Sequence, residues 1–129
     1  MADDGYTDDL TIPDEADLWR RIHPSHIVFD ENVGQSRPSS AAFDDSSDGT
    51  PMSVLLGQEA GPPENALVDY QGYALASFTV GLARACGQGI ARDPTSDQPA
   101  HVLVFGRKTK SVKRRLTEGS QWVIRPPNS

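Results

Sequence analysis

The segment HVLVFGRKTKSVKRRLTEG, His101 to Gly119, decides how this chain is read. Five residues, His101 to Phe105, form an apolar run of β-branched and aromatic character between Pro99 and Gly106. That is the signature of a short strand, and four consecutive apolar residues imply burial on both faces. The pattern then changes period. From Thr109 to Glu118, Val112 and Leu116 are four apart, and at 100° per residue Lys110, Lys113, Arg114 and Thr117 fall on the opposite side. The expectation is a strand, a glycine turn and an amphipathic helix that Gly119 stops.

Working outward, Met52 to Leu56 and Trp122 to Ile124 are further strand candidates, and Ile27-Val28-Phe29 is a shorter one. Ile90 can begin another, broken at Asp93-Pro94. Ser39 to Phe43 can form a short strand, and Asp44 to Pro51 is a loop by composition. Asp14 to Ile22 is expected as a helix. Acidic residues come early and arginines late, and Leu18 and Ile22 stand four apart. Pro63 to Tyr70 looks like a short helix with proline near its start. Leu75, Phe78, Leu82 and Cys86 recur at helical spacing; residues 79–86 are taken as helix, and 74–78 fit helix or strand. The sum is an α+β domain over 13–126 with a short mixed sheet, strands near 27–29, 52–56, 101–105 and 122–124, and helices near 14–22, 79–86 and 109–118. Residues 1–12 are expected as an acidic disordered tail and 127–129 as a second tail.

Charge is divided along the chain. Residues 1–69 hold 15 acidic and 3 basic side chains, and residues 70–129 hold 3 acidic and 9 basic. Six of the twelve Lys and Arg residues fall between Arg107 and Arg115. The turn Gly106 to Ser111 places Arg107, Lys108 and Lys110 at a helix start, where the dipole is already positive and an anion is favoured. The G-x-x-x-x-G-K-S/T spacing of a P-loop is absent. Lys113 and Arg114 continue along the helix, and Arg37, beside Pro38 and Ser39-Ser40, can hold a second anion. The expected partner is a phosphate-bearing ligand, a nucleic acid or an acidic protein surface. Overall acidity weighs against broad duplex binding.

Two histidines and a lysine can cleave RNA without a metal. His26, His101 and Lys108 or Lys110 are the candidates, provided the Asp14–Ile22 segment folds against the His101 strand. His23-Pro24-Ser25-His26 matches no standard zinc spacing, so no metal is expected, and no motif implies a cofactor. Cys86 is the single cysteine, suited to a small core position and a reducing compartment. The N-terminus lacks a signal-peptide pattern, and no apolar run approaches a membrane span. A cytoplasmic location and no membrane partner are expected. Three functions stand at this point: a non-catalytic binding protein working through residues 107–115, a metal-independent nuclease or nucleotide-processing enzyme using His101, and an interaction subunit of a larger bacterial assembly. Oligomeric state is not legible.

Overall fold

Leu18, Arg20 and Ile22 point to one face of an extended segment, and Trp19 and Arg21 to the other. That alternation makes Asp17–Ile22 a strand, β1, in the computed structural model, which describes residues 5–127. The helix expected over 14–22 is thereby corrected. Leu18 and Ile22, four apart, suit one face of a helix and equally one face of a strand. The residue between them decides, and it is Arg20. Its guanidinium escapes the polar-outside rule because Nε donates to Ala42 O at 2.9 Å and Nη1 to Ser53 O at 2.8 Å.

The chain then makes a separate hairpin from β2 (Ile27–Asp30) and β3 (Gln35–Pro38). β4 (Met52–Leu56), β5 (Ala74–Thr79), β6 (Gly89–Arg92), β7 (His101–Phe105) and β8 (Gln121–Ile124) join β1 in one sheet. Its order is β6-β7-β4-β1-β5-β8, and neighbouring strands pair antiparallel. The expected mixed sheet is corrected too. Parallel neighbours need a crossover returning to the adjacent strand. Here α1 (Val80–Ala85) carries the chain from β5 to the far edge at β6, and α2 (Lys110–Glu118) carries it from β7 to the opposite edge at β8. The open segment 74–78 resolves as strand. The segment Ser39–Phe43 forms a 3-10 turn over Ser40–Ala42 rather than a strand, and Pro63–Leu67 is likewise 3-10.

Both helices start at a threonine cap. Leu82 N donates to Thr79 Oγ1, and Val112 N to Thr109 Oγ1. Their apolar sides, Val80, Ala83 and Leu116, cover the sheet face that carries Leu18, Ile22, Met52, Val54, Phe78, Val102 and Val104. Phe43 meets Phe78 edge-on at 5.9 Å. Cys86 is half-buried against this core. A smaller apolar cluster on the other face joins Leu55, Leu75 and Ala66 to Trp19. Gly106 adopts φ +137° between β7 and α2, where a side chain would also run into Gln88.

Residues 5–12, expected as part of an acidic disordered tail, lie against the domain. Ile12 is buried, Tyr6 stacks on Phe105 at 5.7 Å, and Asp8 pairs with Arg84 at 3.0 Å. Asp9 N donates to Ile90 O, and Ile90 N donates to Asp8 Oδ1. The parts of the tail expectations that concern residues 1–4 and 128–129 lie outside the described residues. No helix among the described residues is long and apolar enough to cross a membrane.

Candidate functional site

The basic run divides according to what each cation touches. Lys108 folds back under its own turn, and its side chain is 2% exposed. Its ammonium donates to Val104 O at 2.8 Å and Gly106 O at 3.0 Å and pairs with Asp45 Oδ1 at 2.8 Å. Three acceptors match its three protons. Burial pulls the Lys108 pKa below the ordinary lysine range, and Asp45 offsets part of that pull. Lys113 pairs with Asp44 at 3.1 Å. Burial would raise the Asp44 carboxyl, but the Lys113 hydrogen bond and the Asp45 backbone N–H outweigh it and leave the group below its usual range. Arg20 joins the same cluster; burial lowers its pKa, and Asp44 and Asp45 oppose the shift. The acidic Asp44–Pro51 loop is thus fastened to the β7–α2 turn by ions that the protein supplies itself.

The side chains of Arg107, Lys110 and Arg114 are exposed, with no hydrogen-bond or ion-pair partner among the described residues. Arg114 lines a cleft of about 670 Å³ between the β2–β3 hairpin, α2 and β8. Arg37 from β3 and Arg125 just after β8 line it as well. Arg37 Nε pairs with Asp30 at 3.1 Å, and Arg125 Nη1 reaches Gln35 Oε1 at 3.4 Å. Trp122 Nε1 donates to Ser36 O at 3.0 Å, tying the hairpin to β8 across the floor. Three cations face two carboxylates, Asp30 and Glu118. Arg37 and Arg114 therefore converge, but Arg107, Lys108 and Lys110 are not in this lining. Arg125 was not singled out from the sequence, because an isolated arginine before Pro126-Pro127 carries no spacing signal.

The histidines gather elsewhere. His23, His26 and His101 all line a second cleft, of about 260 Å³, with Trp19, Arg21, Tyr70 and Tyr73. His26 and His101 thus share a cleft even though the segment before them is a strand. Neither Lys108 nor Lys110 is in its lining, and the cations beside the histidines are Arg20, whose guanidinium is spent on Ala42 O and Ser53 O, and Arg21. Among the described residues, no three His, Cys, Asp or Glu side chains are grouped to hold a metal ion. Comparison with family models, with curated proteins and with solved structures gives no match to this chain.

Proposed function

We propose that this protein is a non-catalytic binding module whose arginine-lined groove engages an acidic, extended segment of a partner protein. The observation that carries the reading is the convergence of Arg37, Arg114 and Arg125, from three separate elements, on one open groove. Two features favour an extended polypeptide. The groove runs beside β8, the edge strand of the six-stranded sheet, and an edge strand offers backbone N–H and C=O groups to an added strand. Exposed Lys110 and Arg107 prolong the positive surface along and beyond α2. His101, Arg37 and the 107–110 turn lie in different places, which suits a dispersed contact surface better than a single reaction centre.

Fluorescence anisotropy with a labelled decapeptide of alternating Glu and Val tests this. Binding that weakens with salt and is lost in the Arg37→Glu/Arg114→Glu/Arg125→Glu variant is expected. Equal affinity of that folded variant and the parent protein overturns the proposal.

A further inference from the structure

The second cleft exists because the sheet splits. β1 and β4 pair only at Leu18↔Leu56 and Trp19↔Leu55. Beyond that point β1 stays with β5 as far as Ile22↔Ala74, while β4 stays with β7 through Met52↔Val104. Arg20 Nη1 takes Ser53 O at the opening, a carbonyl left without a β1 partner in the ladder. The parted strands leave the 260 Å³ space, and no carboxylate is among its lining residues.

Its polar groups are fixed in complementary states. The His101 ring Nδ1 lies 2.9 Å from Asp93 O. A carbonyl only accepts, so Nδ1 carries the proton and, in the neutral ring, Nε2 is the acceptor. Asp93 Oδ2 at 3.2 Å holds the same nitrogen. His23 is the reverse. Its Nδ1 accepts from Ser25 N at 3.0 Å, so its proton sits on Nε2, a donor. Arg21 spends Nε on Ala66 O at 2.7 Å and lays its guanidinium over the Tyr70 ring at 4.2 Å. Both of its terminal nitrogens are without a hydrogen-bond or ion-pair partner among the described residues, as is the ring of His26. Tyr73 stands edge-on to both His23 and Tyr70, at 5.1 Å in each case.

We infer that this cleft binds a nucleoside monophosphate. A guanidinium end with several free N–H groups and no competing carboxylate selects a phosphate. A lone-pair nitrogen on His101 beside a donor on His23 suits a ligand that also brings hydroxyls, as a ribose does. The wall of Trp19, Tyr70 and Tyr73 supplies aromatic surface for a base. The volume, about 260 Å³, falls just below the range of small-molecule sites, which run from about 300 Å³ upward, so one ring and one phosphate are the most it takes and a dinucleotide does not fit. This site is separate from the arginine groove and does not depend on it.

Calorimetry with AMP, GMP, CMP and UMP, and with adenosine and inorganic phosphate alone, is the test. At least one monophosphate binds with Kd below about 1 mM, and adenosine and phosphate each bind at least about tenfold more weakly. Arg21→Gln and His26→Gln each weaken the monophosphate at least about tenfold, while Arg114→Glu leaves it unchanged. His26 has no side-chain hydrogen bond to lose and only a tilted contact with the His23 ring at 6.1 Å, so its variant keeps the fold, and circular dichroism checks both. The inference is overturned if none of the four monophosphates binds, if phosphate alone binds as well as they do, or if binding survives in both folded cleft variants.

Discussion

Two regions of this protein gather positive charge, and they use it in opposite ways. Around Asp44 and Asp45, Arg20, Lys108 and Lys113 are taken up by carbonyls and carboxylates of the same chain. Around the hairpin groove, the Arg114 side chain is exposed and unbonded, exposed Arg37 pairs with half-buried Asp30 and the carbonyl of its neighbour Pro38, and Arg125 reaches only exposed Gln35. The first region holds the molecule together, whereas the second has charge left for something outside it. The contrast shows that a basic run in sequence is not a basic patch in space. Which cations remain available depends on where the acidic loop docks.

Substitutions that remove a cation from each region sharpen this contrast. Arg20→Ala strips the donors from Ala42 O and Ser53 O in the middle of a core-facing strand, and is expected to cost about 3 kcal/mol in urea denaturation. A loss under about 1 kcal/mol breaks the view that Arg20 is structural. Lys108→Ala follows at about 2 kcal/mol, since Asp45 is a third exposed and water can rehydrate it. A double-mutant cycle with Asp45→Ala should return a favourable coupling. Lowering the pH acts on Asp44 of this cluster and on three carboxylates elsewhere. Asp9, Asp44, Asp48 and Glu59 all titrate below their ordinary values. Hydrogen bonds from Thr11 hold Asp9, those from Thr50 hold Asp48, and Arg92 holds Glu59. The unfolded chain therefore takes up protons first as acid is added. Their stabilisation is present above about pH 4 and falls away as pH drops through the folded values. Thermal melts from pH 7 to pH 2 should show a fall in Tm confined to the acid side. Arg114→Glu is expected to change stability by less than about 0.5 kcal/mol while weakening capture of the acidic peptide. A large drop in Tm for this variant would place Arg114 in the first region.

Much of the sheet is legible in the sequence. β4, β7 and β8 are compact apolar runs bounded by Gly or Pro, and α2 declares itself by Val112 and Leu116 against a basic face. β1 was not legible, because Arg20 sits where an apolar residue is expected, and its acceptors lie far along the chain. The shared cleft of His26 and His101 was conceivable but depended on how β1 packed. The loss of Lys108 to the interior was hidden for the same reason: its partner, Asp45, lies in a loop that composition marks only as polar. Local pattern carries the elements, and long-range polar pairing carries the sites.

The N-terminal segment has one more consequence. β6 is the outer strand on its side of the sheet, and Asp8 and Asp9 take the N–H and C=O of Ile90 there. A bare strand edge is a template on which a second molecule can add its own strand, and it is one route to aggregation. Two aspartates at that edge, paired with Arg84 and Arg92, occupy the N–H and C=O of Ile90 and deny them to an incoming strand. Chains trimmed through Asp9 should therefore associate edge to edge at concentrations where the intact chain stays apart.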